Sequence, residues 1–184
     1  MMLSDNELYH QYLHGDVKAY DELMLRYADR VVSFLYAYLQ DWQDAEDLMI
    51  DAFARIMIKK PVIREDGFRP YLFKTARNMA SRFHEKKNRF QAFSLEDLND
   101  EAADRFFTEE KILGQEKSEL LKKCMDRLDS QQREALWMVY FEGLSYAEAA
   151  DVMKVTKKRI DHLLSRGKEN LRKELLKEGV TDAY

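Results

Sequence analysis

Residues 145–173 read SYAEAADVMKVTKKRIDHLLSRGKENLRK, and this stretch decides the fold of the C-terminal part of the chain. Ser145 and Glu148 have the spacing of a capping box, which predicts the start of a short helix. A three-residue turn, residues 154–156, follows, and Thr156 is placed to cap a longer helix. Because a short helix, a tight turn and a longer helix occur in this order, the stretch predicts a helix-turn-helix.

The longer helix concentrates positive charge in a chain that is acidic overall. Residues 155–173 contain seven Lys and Arg and two acids, whereas the 184-residue chain has a net charge of −4. Its apolar inward positions are Ile160, Leu163, Leu164, Gly167 and Leu171. Its outward positions are Lys158, His162, Ser165 and Arg166, flanked by Lys157, Arg159 and Lys168. This pattern predicts base contacts in a major groove with phosphate contacts beside them, and the alternative is a solvated C-terminal helix.

The N-terminal part of the chain also has the pattern of a helical domain. Only 6 Gly and 2 Pro occur in the sequence, which indicates an almost wholly helical protein. Residues 4–7, SDNE, have capping-box spacing and open a short helix that Gly15 can end. Asp16 and Asp41 are placed to cap two longer helices, and a fourth helix is predicted near Pro70.

Composition shifts between the two helical parts. Residues 91–119 contain nine acids and three bases and have weak periodicity, which predicts an acidic linker that is either extended or partly helical. Helical periodicity returns at Leu120. The predicted fold is therefore all-α, with two small helical domains, residues 1–92 and 119–184, joined by a flexible acidic linker, residues 93–118.

A second basic run, KTARNMASRFHEKKNR, occupies residues 74–89. Helical spacing places Lys74, Asn78, Arg82, Lys86 and Arg89 on one face, which is equally typical of a nucleic-acid surface and of a solvated helix. Beside this run, the rings of Tyr71 and Phe73 can either stack on unpaired bases or belong to the core.

The opposite charge is concentrated in DWQDAEDLMIDAF, residues 41–53. Asp44, Asp47 and Asp51 share one side of the predicted helix, with Ile50 beside them. No histidine or cysteine is near these carboxylates in the sequence, so the pattern does not favour a metal site or acid–base chemistry. A mixed acidic and apolar stripe is instead typical of a surface that binds a basic protein partner.

Other patterns narrow the function classes. The sequence contains no Gly-rich phosphate loop and no nucleophile–base pair, and His10 and His14 lack a third metal ligand, so we expect neither an enzyme nor a cofactor or metal. No apolar run approaches the roughly 20 residues of a membrane span, and no secretory signal is evident. The single cysteine, Cys124, favours a buried thiol. We expect a cytoplasmic protein without membrane insertion.

Three segments together resemble the extracytoplasmic-function (ECF) sigma factors of bacterial RNA polymerase. DAEDLMIDAFARI resembles the family's polymerase-binding helix, and FRPYLFKTARNMASRF resembles its promoter-melting helix. LDSQQREALWMVYFEGLSYAEAADVMKVTKKRIDHLLSRGKENLR resembles its C-terminal helix-turn-helix domain. The resemblance implies a factor that binds core RNA polymerase and directs promoter recognition and transcription initiation. The alternative is a stand-alone helix-turn-helix transcriptional regulator.

The resemblance also implies roles for individual residues. Docking on the clamp helices of the polymerase largest subunit would involve Asp44, Glu46, Asp47, Leu48, Asp51 and Phe53. Contacts to the minus-10 element would involve Lys74, Arg77, Asn78, Arg82, Lys86, Lys87 and Arg89, with Asn78 near the pocket for a flipped base. Contacts to the minus-35 element would involve Thr156, Lys157, Lys158, Arg159, His162, Ser165 and Arg166. An anti-sigma factor would be a further partner beside core polymerase and promoter DNA.

One departure from the family pattern has a direct structural consequence. Lys154 stands where the family usually has a turn glycine. A positive φ at this position would cost on the order of 1 kcal/mol, because an L side chain is strained there.

Overall fold

The computed structural model describes residues 3–91 and 112–180, and within these ranges the regular structure is helical throughout, without a β-strand. The chain divides into two compact units. The first contains the four helices that begin before residue 92, and the second contains the helices that begin after residue 111, including a helix-turn-helix. The predicted all-α fold with two small helical domains is therefore confirmed.

The first unit begins with helices whose predicted caps are present. Its elements are α1 (Asp5–Leu13), α2 (Val17–Leu39), α3 (Trp42–Lys59) and α4 (Phe68–Gln91). Ser4 and Glu7 form the predicted capping box, and Gly15 has the positive φ of 104° that a helix-ending residue favours. The carboxylates of Asp16 and Asp41 accept hydrogen bonds from backbone N–H groups at the starts of α2 and α3.

Tyrosine hydroxyls tie α1 and α2 to the end of α3. Tyr9 donates to the carbonyl of Pro61 at 2.8 Å, Tyr12 to that of Met57 at 2.7 Å, and Tyr20 to that of Phe53 at 2.6 Å. Burial raises the pKa of Tyr9 to about 12, so its hydroxyl remains a donor at neutral pH. The inner face of α3 is therefore fixed in the core, and its outer face is left for solvent.

Among residues 112–180, the second unit contains five helical segments. They are α5 (Ile112–Asp126), α6 (Ser130–Leu136), a π-helical turn (Trp137–Phe141), α7 (Tyr146–Met153) and α8 (Lys157–Lys177). Since α5 begins at Ile112 and not at Leu120, part of the predicted linker is helical, which is the alternative that the sequence left open. The remainder of that linker, residues 93–111, lies outside the described residues.

The turn between α7 and α8 has the predicted geometry. Ser145 and Glu148 form the capping box of α7, and Lys154 ends this helix with φ 56° and ψ 43°. Val155 N–H donates to the carbonyl of Ala150 at 3.0 Å, and the Thr156 hydroxyl accepts from Arg159 N–H at 3.1 Å. Lys154 therefore has the positive φ whose cost is on the order of 1 kcal/mol.

Close packing sets the position of α8 on α6. A Cβ added at Gly167 would lie 3.0 Å from Leu136 Cδ1 and 3.4 Å from Gln132 Cβ. One turn away, Asn170 Nδ2 donates to Gln132 Oε1 at 2.9 Å. The two helices approach so closely because position 167 has no side chain, and this contact fixes which face of α8 points outward.

Candidate functional site

The outer side of α3 carries a mixed acidic and apolar surface, defined here by Glu46, Asp47, Ile50 and Asp51. The Asp47 and Asp51 carboxylates are exposed, and the Ile50 side chain between them is 54% exposed. Glu46 is half-buried and accepts a hydrogen bond from Trp42 Nε1 at 3.0 Å. An exposed isoleucine among carboxylates is suited to a partner surface that combines cationic and apolar groups.

Leu48 and Phe53 do not belong to this exposed surface. Leu48 is 7% exposed and Phe53 is 1% exposed, so both side chains lie in the core of the first unit. The ring of Tyr20 packs edge-on against Phe53 at 6.1 Å between centroids. The resemblance implied polymerase docking for both residues; in the free chain both side chains are buried and support the acidic surface from beneath.

Asp44 and Lys87 are paired with each other. Lys87 Nζ lies 2.9 Å from Asp44 Oδ2 and 3.6 Å from Asp41 Oδ2. The hydrogen bond to Asp44 is the main reason that the pKa of the Lys87 ammonium lies above its ordinary value. Asp44 was predicted to meet polymerase and Lys87 to meet DNA, yet here they join the start of α3 to the last turns of α4.

The cationic face of α4 is exposed along its C-terminal half. Arg82, Lys86 and Arg89 are exposed, whereas Lys74 and Arg77 are half-buried. The ring of Phe73 is fully buried and packs edge-on against Phe34 at 5.5 Å, so this aromatic belongs to the core and is not available to stack on a base. Tyr71 is half-buried.

Asn78 lies on the same helix at the edge of the core. Its Oδ1 atom is buried and has no hydrogen-bond partner. Because a buried polar atom without a partner costs free energy, such atoms are uncommon in folded proteins. An arriving donor would remove that cost, so Asn78 is a candidate contact for a polar ligand.

On α8 the predicted outward face is exposed and four of the five predicted inward residues are buried, while the fifth, Leu171, is half-buried. Ile160, Leu163, Leu164 and Gly167 are buried, and the outward side chains are exposed: Lys157, Lys158, Arg159, His162, Ser165 and Arg166. The hydroxyl of Thr156, also a predicted DNA contact, is occupied by the helix cap. We refer to Lys158, His162, Ser165 and Arg166 as the reading face.

The C-terminal half of α8 uses its charges differently. Arg127, directly after α5, lies 3.3 Å from Glu174 and 2.8 Å from Glu178, and Lys123 of α5 lies 3.3 Å from Glu178. The hydrogen bond from Arg127 is the main cause that lowers the pKa of Glu178, and the bond from Lys177 does the same for Glu174. These ion pairs anchor α8 to α5 and leave the reading face at the other end.

Metal binding and membrane insertion find no support among the described residues. Within residues 3–91 and 112–180, no three His, Cys, Asp or Glu side chains form a group that could hold a metal ion. His14 caps the end of α1, with its Nδ1 atom 2.8 Å from the carbonyl oxygen of His10. No helix in the same ranges combines the length and apolar character needed to cross a membrane.

Sequence reasoning missed two polar contacts that position these surfaces. Lys87 and Asp44 are 43 positions apart, and Arg159 and its partner Gln131 are 28 positions apart. Helical spacing relates residues within a few turns of each other, so no pattern in the sequence signals either pair. The predicted buried state of Cys124 is confirmed.

Comparisons with known proteins match both units. A family described as Sigma-70 region 2 matches residues 23–90, and a family described as Sigma-70, region 4 matches residues 118–171. The ECF RNA polymerase sigma factor SigM of Bacillus subtilis is 29% identical over 165 residues, covering 88% of this chain and 98% of that protein. The RNA polymerase sigma-H factor of Pseudomonas aeruginosa is 26% identical over 182 residues, covering 93% of each chain.

Solved structures show the same fold. The sigma factor RpoE in complex with the anti-sigma factor NepR from Bartonella quintana superposes with a TM-score of 0.67 at 22% identity, covering 86% of this chain and 98% of that chain. CnrH in complex with the cytosolic domain of CnrY has a TM-score of 0.65 at 18% identity, covering 93% and 96%. At these identities the likeness concerns the fold.

Proposed function

Since the chain belongs to the ECF family of RNA polymerase sigma factors and so directs transcription initiation, we propose that α3 docks on the polymerase while α4 and α8 meet promoter DNA. The observation that carries this division is the exposure of acidic and apolar side chains on α3 and of cationic side chains on α8. The match to region 2 accounts for the N-terminal unit, which a stand-alone helix-turn-helix regulator would leave unexplained. We assign polymerase docking and minus-10 recognition to residues 1–92, and minus-35 recognition to residues 119–184.

The acidic surface of α3 is the proposed docking site for the clamp helices of the polymerase largest subunit. Asp47 and Asp51 supply exposed charge, and Ile50 supplies apolar area that docking would bury. Complementary charge speeds association and fixes orientation, while a buried apolar side chain near the centre of an interface contributes affinity. Asp44 takes part only when its bond to Lys87 is broken or shared.

The cationic face of α4 is the proposed site for the melted minus-10 strand. Arg82, Lys86 and Arg89 can contact phosphates, and Lys74 and Arg77 extend the face toward the core. Asn78, with its unpaired Oδ1 atom, is placed to accept a hydrogen bond from a base taken out of the stack. This acceptor favours a base whose edge facing Asn78 carries an exocyclic amino group or a ring N–H.

The reading face of α8 is proposed to enter the major groove of the minus-35 element. Lys158, His162, Ser165 and Arg166 reach toward base edges, while Lys157 and Arg159 lie beside them for phosphates. The two DNA-binding surfaces act through polymerase, which raises the effective concentration of the second surface once the first is bound. Weak contacts in each unit then suffice for selective initiation.

Further partners and location follow as part of the same proposal. Catalysis belongs to the polymerase, and this chain supplies recognition without chemistry of its own. An anti-sigma factor that covers the acidic surface of α3 would prevent docking until it is removed, and the sigma factor RpoE, which has a similar fold, was solved in complex with the anti-sigma factor NepR. Because the chain must share a compartment with RNA polymerase, we place it in the cytoplasm.

Charge reversal on α3 tests the docking proposal. We expect Asp47→Lys with Asp51→Lys to weaken association with core polymerase by about 100-fold or more, because like charges would face each other across the interface. The matched control is Asp21→Lys with Asp29→Lys, which reverses two exposed acids of α2 in the same unit. Binding is measured by fluorescence anisotropy of the labelled chain titrated with core enzyme. Equal affinity of the two double variants would contradict docking through α3.

A further inference from the structure

Gln131, an exposed residue in the first turn of α6, contacts a predicted DNA-binding side chain of α8. Its Oε1 atom accepts a hydrogen bond from Arg159 Nη2 at 2.8 Å. Neither the helix-turn-helix pattern nor the family resemblance assigned any role to α6 in DNA binding. The contact joins two exposed polar side chains, so it buries little surface area. Its main effect is to orient the guanidinium of Arg159.

Gln131 itself is firmly placed. The carboxylate of Asp129 caps α6 and accepts from Gln131 N–H at 3.0 Å and from Gln132 N–H at 3.4 Å. The helix then packs closely on α8 at Gly167. The amide of Gln131 is therefore carried on a backbone that is fixed relative to α8, which is a requirement for a residue that orients another side chain.

Arg159 is consequently held at both ends. Its backbone N–H donates to the Thr156 hydroxyl at 3.1 Å, and its guanidinium donates to Gln131. Gln131 occupies one N–H group of the guanidinium and leaves the others free for a planar, two-pronged contact with phosphate oxygens. A long side chain that is oriented before binding loses less conformational entropy when it meets its ligand.

We propose that Gln131 is a positioning residue that orients Arg159 toward a phosphate of the promoter beside the reading face. The inference deepens the proposed function and rests on the assignment of α8 to the minus-35 element. The neighbouring Gln132 provides a matched control, because its Oε1 atom accepts from Asn170, a partly buried residue outside the predicted DNA contacts.

A double-mutant cycle tests the proposal with the full chain assembled on core polymerase. The four proteins are the unsubstituted chain, Gln131→Met, Arg159→Ala and the double variant. The probe is a fluorescently labelled promoter duplex, whose sequence is first selected from a random library as one at which the unsubstituted holoenzyme initiates transcription. Methionine keeps the length of glutamine and removes its acceptor. We expect Gln131→Met to weaken DNA binding by about 3- to 10-fold in the presence of Arg159 and by less than about 2-fold in its absence.

Additional readouts separate positioning from a structural effect. Thermal melting of Gln131→Met should match that of the unsubstituted chain, and the slope of log affinity against log salt should become shallower, because a phosphate contact is weakened. Gln132→Met should not change that slope. Equal losses in both Arg159 backgrounds, or no loss in either, would overturn the positioning role. If Arg159→Ala alone leaves DNA binding unchanged, the assignment of Arg159 to DNA fails too, whereas the docking proposal for α3 stands.

Discussion

The cationic helices of the two units, α4 and α8, differ in which of their charged side chains form ion pairs. In the first unit, Lys87 near the end of α4 is ion-paired with Asp44 and Asp41 at the start of α3. In the second unit, the ion pairs of α8 with Lys123 and Arg127 lie at its C-terminal end, and the side chains of Lys157 and Lys158 at its N-terminal end form no hydrogen bond or ion pair with other described residues. The first unit thus joins the surface proposed for polymerase to the one proposed for the minus-10 strand, whereas α8 keeps its ion-paired end apart from its proposed reading face.

This difference has a consequence for how each unit binds. A ligand that approaches Lys87 must compete with carboxylates of the same unit, so binding at that position carries the cost of breaking an ion pair. A ligand that approaches Lys157 or Lys158 meets cations that are already available. The comparison predicts a large effect when the exposed cations of α8 are reversed and a small one when the pair on α3 and α4 is broken.

The largest effect is expected from charge reversal at the start of α8. Lys157→Glu with Lys158→Glu should weaken binding of the holoenzyme to its promoter by about 100-fold, because each lost contact costs about 1–3 kcal/mol. Binding is measured on a labelled promoter duplex over a range of salt concentrations. Lys18→Glu with Arg64→Glu, two exposed cations of the first unit, is the control of equal charge change. If both double variants weaken binding to the same extent, the effect is due to net charge, and the proposal that the N-terminal end of α8 contacts the promoter is contradicted.

An intermediate effect is expected from overpacking the anchored side of α8. Gly167→Leu should destabilise the second unit by about 1–3 kcal/mol, since the new side chain would press on Leu136 of α6. Thermal unfolding of the full chain should show an earlier transition for the second unit and an unchanged one for the first. The control is Ser165→Leu, an exposed position on the same helix. A Gly167→Leu chain as stable as the control would mean that the close approach of α6 does not fix α8.

The smallest effect is expected from breaking the pair in the first unit. Asp44→Asn should raise the affinity of the free chain for single-stranded DNA by about 2- to 4-fold, because exposed ion pairs contribute about 0.2–1 kcal/mol. Fluorescence anisotropy with a labelled random oligonucleotide measures the change. Asp29→Asn removes one negative charge at an exposed site of α2 and serves as the control. The gain should vanish when Lys87 is replaced by Met; a gain that persists would show that Asp44 does not restrain Lys87.

Local features of this protein were predictable because they depend on residues close together in the sequence. The capping box at Ser145 and Glu148, the Thr156 cap and the positive φ of Lys154 each involve atoms within one helical turn. The inward and outward faces of α8 follow from helical periodicity in the same way. These features were sufficient to predict the helix-turn-helix of the second unit and the face of α8 that is exposed.

Tertiary features were not predictable from such patterns. The resemblance placed Leu48 and Phe53 among docking residues because it matches positions in a motif, whereas helical periodicity alone places both on the apolar face that is buried in the free chain. The pairs Lys87–Asp44 and Arg159–Gln131 depend on how separate helices meet. The π-helical turn after α6 has no composition that distinguishes it from an ordinary apolar helix.

That π-helical turn allows this part of the chain to lose one residue without a change in the direction of the side chains that follow. Residues 137–141 wind more widely than an α-helix, so the run from Ser130 to Phe141 accommodates one residue beyond its α-helical complement. Loss of a single residue there would restore ordinary α-helical winding and keep the side chains that follow on their present faces of the axis. A one-residue deletion should therefore be better tolerated within residues 137–141 than in the middle of α8, where it would rotate everything after it by about 100° around the axis.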